Sequence, residues 1–240
     1  MNMAGLMIMT TAIPIPIPMT FIIIEGEIMA DNKRGMMILQ AWFSPAFPTG
    51  AFSYSHGIET AIQDRLITDG QSLKGWIAAL LLYGSGRNDA IFLKSAYEGD
   101  EQANPLCLAL CASKERWQET TELGQAFCRA VNNSYHTNLP DGLAYPVAVG
   151  QAARTIGLDL GLTIQSYLQA FAANLISVGV RAIPIGQHAG QDCLVGLCPV
   201  IEEGAAEAAE TTLDEVGSAA MLSDLMAMKH EQSVPRIYRT

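Results

Sequence analysis

Apolar residues recur along most of this chain with a helical period. Leu73, Trp76, Ile77, Leu80 and Leu81 fall at i, i+3, i+4, i+7 and i+8, which aligns them on one stripe. Trp117, Thr120, Gly124, Phe127, Cys128 and Val131 repeat the pattern, with polar residues between them. The longest stripe runs through Leu160, Ile164, Tyr167, Leu168, Phe171, Leu175 and Val178. Residues 202–214 are alanine-rich and acidic, and alanine has the best intrinsic helix propensity. Met221, Leu222, Leu225 and Met228 form a last short stripe behind Ser218, which the pattern nominates as an N-cap. Strand signals are scarce. The β-branched runs at 178–185 and 195–201 carry glycine or proline and do not alternate cleanly, and no βαβ rhythm appears. Gly, Pro and Asn punctuate the chain at 45–50, 84–88, 99–105, 138–142 and 186–190. The pattern therefore predicts an all-α, single-domain helical bundle of about eight to ten helices.

The ends of the chain stand apart from this pattern. Met1 through Ile24 carry no charge, and Pro14, Pro16 and Pro18 alternate with isoleucine. Three close prolines defeat a spanning helix, and a basic n-region with a small-residue cleavage site is missing, so neither a membrane span nor a signal peptide is predicted. Residues 1–34 read as a flexible extension or one begun at the wrong methionine, with Met29 as the alternative start. Residues 35–228 form the helical domain, and 229–240 a separate C-terminal tail.

Composition narrows the function. Of 240 residues half are hydrophobic, which excludes disorder over most of the length. The formal charge of −10, from 14 basic and 24 acidic residues, argues against a general nucleic-acid binder, which needs a basic surface. Five cysteines (Cys107, Cys111, Cys128, Cys193, Cys198) are an odd number without the dense spacing of a secreted disulfide scaffold, so reduced thiols in the cytoplasm are expected.

Residues 39–59 are the most informative stretch. They read as a helix stopped by Pro45, a loop carrying Pro48 and Gly50, and a new helix that Ser53 or Ser55 would cap. Gly50 permits a positive φ or a close approach. Phe52 and Tyr54 sit in the loop, where their rings need cover from the body of the protein or from a partner. Leu39-Gln40, Phe47-Pro48-Thr49-Gly50, Phe52-Ser53-Tyr54-Ser55 and Gly57-Ile58-Glu59 resemble the signature of the urease accessory protein F family. The similarity continues through Trp76, Asp89-Ala90-Ile91-Phe92-Leu93 and Tyr145-Pro146-Val147 with Gly150. It ends at His230-Glu231 and Pro235-Arg236-Ile237-Tyr238-Arg239. Pro235 and Tyr238 depart from the family's usual serine and phenylalanine.

The resemblance implies an all-helical homodimer, not an enzyme. It would bind urease accessory protein D (also called H), recruit the GTPase accessory protein G, and so help nickel reach apo-urease. It implies no cofactor and no fixed thiolate site on this chain. Lys229, Arg236 and Arg239 against Glu231 make the tail basic on an acidic chain, and a short terminal segment of this kind is expected to be mobile until a partner orders it. Ile237 and Tyr238 would then be apolar anchors and Arg236 a directional donor. The expected partner contacts are Gly50, Phe52, Tyr54, His230, Glu231, Arg236, Ile237 and Tyr238.

Other signals carry less. Cys107 and Cys111 share a helical face but lack the second pair that completes a tetrahedral site. His188, Cys193 and Cys198, spaced by five, suit no ligand set. No G-x-x-x-x-G-K-[ST] occurs, so GTP binding is left to a partner. Gly84-Ser85-Gly86 reads as a turn, and Ser53, Ser55 and His56 do not make a hydrolase elbow. Two alternatives stand: a helical enzyme with a pocket around His56 or His188, and a generic dimeric scaffold.

Overall fold

The computed structural model describes residues 32–239. The predicted extension up to residue 31 lies outside the described residues, while 32–34 open the first helix. Ten α-helices follow in order: α1 (Asn32–Trp42), α2 (Ile58–Gln63), α3 (Gly70–Tyr83), α4 (Ser85–Glu98), α5 (Ala103–Ala109), α6 (Lys114–Tyr135), α7 (Tyr145–Thr155), α8 (Leu160–Ala182), α9 (Gly186–Glu210) and α10 (Met221–His230). Two 3-10 turns, Ala51–Ser53 and Leu213–Glu215, join them, and no strand occurs among the described residues. The all-α expectation holds.

Local chemistry sets many of the boundaries. Asp69 caps α3 by accepting from the Ser72 N–H at 2.8 Å, and Ser72 Oγ accepts in return from the Asp69 N–H at 3.1 Å. Ser113 caps α6 through the Arg116 N–H at 3.0 Å, and Asp159 caps α8 through the Leu162 N–H at 2.8 Å. Pro146 sits in the first turn of α7, where its missing N–H costs nothing.

The longest predicted stripe is also the centre of the molecule. α8 packs against α1, α2, α3, α4, α7 and α9, and Ile164, Leu168, Ala172, Leu175 and Val178 are fully buried along it. Each of these side chains except the small Ala172 contributes roughly 1.5–3 kcal/mol of transfer free energy. On the other side α4 crosses α7 closely, because Gly150 has no side chain: a Cβ there would run into the Leu93 carbonyl. Trp42, at the end of α1, meets Phe127 and Tyr135 edge-on at 5.1 and 5.7 Å, and Phe47 leans on Phe127 at 5.6 Å. This aromatic cluster anchors the base of the 43–57 loop.

Several expectations are corrected. The predicted break at 186–190 is the first turn of α9, which runs unbroken through Pro199 and absorbs the alanine-rich stretch as its second half. The β-branched runs are helical, as their lack of alternation suggests, except at 183–185, which turn the chain from α8 into α9. Trp117 is half exposed, because α6 turns Glu115, Glu119 and Leu123 inward instead. Neither Ser53 nor Ser55 caps α2; Gly57 does, at φ 76°, without a side-chain bond. Ser218 is not the N-cap of α10 either. Ala220 holds that place, and Ser218 Oγ accepts the Ala220 N–H at 3.2 Å from two residues upstream.

Candidate functional site

Gly50 adopts φ 81° and ψ 18°, the first of the two roles expected of it and not a close approach, and launches the 3-10 turn Ala51–Ser53. That turn pushes the Phe52 ring into solvent, 62% exposed, and folds Tyr54 inward to 2%. The Tyr54 hydroxyl donates to Glu122 Oε2 at 2.7 Å, and its carbonyl accepts from Asn174 Nδ2 at 3.3 Å. Burial, reinforced by the Glu122 carboxylate, pushes the Tyr54 phenol far up, so it remains a neutral donor.

The tail returns to this loop. The Arg239 backbone N–H donates to the Ser53 carbonyl at 2.8 Å, and its guanidinium pairs with Glu122 at 2.8 Å and covers the Tyr54 ring at 5.5 Å. Tyr238 is buried, with the Arg181 guanidinium 5.0 Å above its ring. Glu59 on α2 accepts the backbone N–H groups of Ile237 at 2.8 Å and Tyr238 at 2.9 Å. Burial raises the Glu59 carboxyl pKa, but those two bonds and His230 more than reverse it, so the net shift is downward. Arg236 is bonded to Glu115, and Glu231 accepts the Lys114 N–H at 2.8 Å.

The expected contact residues thus form one composite surface rather than two. Gly50, Phe52, Tyr54, Arg236, Ile237 and Tyr238 are brought together, and His230 and Glu231 fasten the segment that reaches them. The expectation that the tail cannot bury itself is corrected at His230 and Tyr238, at 0% and 4% exposure, because inward-facing acids on α2 and α6 receive it. Ile237 and Val234 stay exposed as open apolar groups. Sequence reasoning missed Glu59, Glu115, Glu122 and Arg181 as tail receptors and did not single out Arg239. No sequence signal marks them, because Glu115 and Glu122 lie on the side of α6 away from its apparent apolar stripe.

A second polar cluster lies deeper. His56 Nε2 meets Glu119 at 2.8 Å, Arg116 bonds Asp89 at 2.6 Å and contacts Glu119 at 3.2 Å, and the Tyr167 hydroxyl donates to Asp89 at 2.8 Å. Burial disfavours both charges, yet Asp89 and Glu119 hold Arg116 firmly protonated, and His56 and Arg116 together lower Glu119. The cluster stands between two cavities of about 240 and 260 Å³. One lies under α10 and holds Cys107 and Cys111, and the other opens beside Phe47, Gly50 and Phe52. Burial pushes the Cys111 thiol up to about 11 and the Cys107 thiol well up as well, so neither is a ready thiolate. His188 is exposed on the first turn of α9. All five cysteines are unpaired, and among the described residues no group of three or more His, Cys, Asp or Glu is arranged to hold a metal ion. No helix among them is long and apolar enough to cross a membrane.

Comparison with known proteins agrees with the motif. The family model described as UreF matches residues 67–198. A urease accessory protein UreF of Cereibacter sphaeroides (strain KD131) is 48% identical over 210 residues, covering 87% of this chain and all of that relative. The chain belongs to the UreF family. A UreF of Ruegeria pomeroyi is 40% identical over 214 residues, with 87% of this chain and 98% of the relative covered. A protein named urease accessory protein UreF 1, from Brucella anthropi, is 39% identical over 219 residues, covering 88% and 96%. These relatives are all named as urease accessory proteins.

Proposed function

We propose that this chain is a non-enzymatic assembly chaperone of the cytoplasm. It binds urease accessory protein D/H, recruits and modulates the GTPase accessory protein G, and acts as a homodimer in passing nickel to apo-urease. The observation that carries the docking half is the junction of Arg239 with Ser53 and Tyr54, which fuses loop and tail into a single surface. Phe52 and Ile237 project from that surface as exposed apolar groups, the kind of anchor a partner desolvates on binding. The tail's arginines are already engaged by Glu115 and Glu122 and two of its amides by Glu59, so a partner meets a folded surface rather than a loose basic peptide.

An acid–base enzyme centred on His56 has less in its favour. Its neighbour Glu119 is held low by His56 and Arg116, the opposite of the raised carboxyl that proton transfer near neutral pH needs. The test is co-elution of the purified chain with accessory proteins D/H and G. The Phe52→Ala/Ile237→Asp pair should abolish co-elution of the GTPase while the thermal melt of the free chain stays within a few degrees. A variant that still carries both partners at wild-type ratio would overturn the docking role, and would leave a generic dimeric scaffold as the better reading.

A further inference from the structure

His230 closes α10 and is completely buried. Its Nδ1 lies 2.8 Å from Glu115 Oε2 on α6, and its Nε2 lies 3.0 Å from Glu59 Oε2 on α2. A neutral imidazole donates from one nitrogen and accepts at the other, so it satisfies only one of two carboxylates. Facing both, the ring makes two donor bonds only when both nitrogens carry protons. We propose that His230 is a proton-dependent clamp that docks the C-terminal helix and tail onto the body of this chain.

The charged groups around the ring set the sign. Glu59 comes from α2, Glu115 from α6, and Arg236 from the tail, where it shares Glu115 with His230. On α10 itself Lys229 is turned to Asp64, and the following Glu231 to the Lys114 N–H, so neither faces the ring. Two carboxylates therefore meet His230 and Arg236, a balanced cluster with the imidazolium and a cluster short of one proton without it. Loss of that proton leaves a lone pair aimed at a buried carboxylate, which repels instead of bonding. Docking therefore weakens once the ring loses that proton.

The same cluster has an acid limb. The net downward shift of Glu59 means that the docked tail favours its ionised form. That contribution is present above the ordinary carboxylate range and is lost as pH falls through the depressed pKa of Glu59. Docking is strongest between the two limbs. α10 packs mainly on α2 and α6, and its Ser223 and Ala227 help line the cavity that contains His56, Asp89 and Arg116. Releasing the clamp thus detaches Tyr238 and Arg239 from the loop and uncovers that polar cavity in one step.

The test uses the full chain alone, so it is independent of any partner. Amide hydrogen exchange is followed at Ile237 and Tyr238, whose N–H groups end on Glu59, and corrected for the intrinsic pH dependence of exchange. Protection at these two amides should fall by about tenfold or more between about pH 6 and about pH 8.5, with α8 amides unchanged. His230→Gln, which donates to one carboxylate and carries no charge, should show the low protection at both pH values. Equal wild-type protection across the range overturns the clamp, as does a His230→Gln tail that keeps the wild-type profile. Should His230→Gln fold poorly, the wild-type series and the ring carbon shift of His230 decide alone. A shift that stays in the neutral-imidazole range at about pH 6, with the tail protected, overturns the proposal.

Discussion

Arg239 and Tyr54 are 185 positions apart in the chain, yet the guanidinium lies over the phenol ring and its Nη1 donates to the hydroxyl at 3.3 Å. Both groups also converge on Glu122, so one half-exposed carboxylate fixes the two ends of the composite surface. Arg239 itself is half exposed, which keeps its separate contribution to stability small.

Arg239→Ala should accordingly lower global stability by only about 0.5–1 kcal/mol. Its effect should appear locally, as loosening of the tail against Ser53. A double-mutant cycle with Tyr54→Phe isolates the pair, because the phenylalanine keeps the ring and removes the hydroxyl that Arg239 and Glu122 share. Coupling measured by urea denaturation should be positive and below about 1 kcal/mol. A coupling indistinguishable from zero would mean that the ring and guanidinium are merely adjacent.

Glu59 is a stronger point of failure. It is buried and holds the Ile237 and Tyr238 N–H groups together with His230, so Glu59→Gln removes charge from three bonds and leaves Glu115 as the ring's remaining carboxylate. Breaking a buried pair of this kind costs about 3–5 kcal/mol. The pH profile gives the sign. The net shift of the wild-type carboxyl is downward, so its stabilisation is complete above the usual carboxylate range and declines as pH falls through the lowered pKa. Urea midpoints of wild type and Glu59→Gln should be far apart at about pH 6 and converge toward about pH 3. Parallel profiles would show that Glu59 is not ionised in the folded chain.

Much of the fold was legible because most helices bury one aliphatic stripe, as α8 does with Ile164, Leu168 and Leu175. The misreadings share one cause. On α10 the large residues Met221, Leu222, Leu225 and Met228 face outward, while the buried face is made of Ser223, Ala227 and His230. Small and polar residues at helical spacing carry no hydrophobic signal, so the wrong face stood out. α6 misleads in the same way: Glu115 and Glu119 are buried because His230, Arg236, His56 and Arg116 neutralise them, while Trp117 is left half exposed. At the site, the positive φ of Gly50 was one of the two roles that the motif allowed. Glu59 could not be matched to Tyr238, because a pairing across 179 positions exists only once the bundle has folded.

The cysteines give a chemical check on burial. Cys111 is pushed up to about 11 and Cys107 is also raised well above the usual thiol range, both chiefly by desolvation, whereas Cys198 is exposed on α9. Because the thiolate is the reacting species, a limiting alkylating agent at about pH 8 should label Cys198 first and leave Cys107 unmodified in the folded chain. Peptide mass mapping at several times reads the order. Early labelling of Cys107 would mean that the cavity beneath α10 opens readily, and the rate should then rise further in His230→Gln.

Two glycines separate backbone strain from packing. Gly50 and Gly57 both have positive φ, at 81° and 76°. A Cβ added at Gly50 would meet nothing within 4 Å, so Gly50→Ala should cost only the left-handed conformation, about 1–2 kcal/mol, and leave the tail docked. Gly50→Val adds a branched side chain that tolerates this conformation less well and should cost more, mostly as local distortion of the 51–53 turn. At Gly57 the same Cβ would lie 2.7 Å from the Ala227 nitrogen and 3.1 Å from the Met226 Cβ. Backbone there has no room to yield unless α10 lifts from α2. Gly57→Ala should therefore exceed the Gly50→Ala cost and expose the tail amides in the same variant, read by denaturation and hydrogen exchange together. If both alanine variants lose equal stability and both keep their tails protected, α10 is not seated on Gly57 as tightly as the geometry requires.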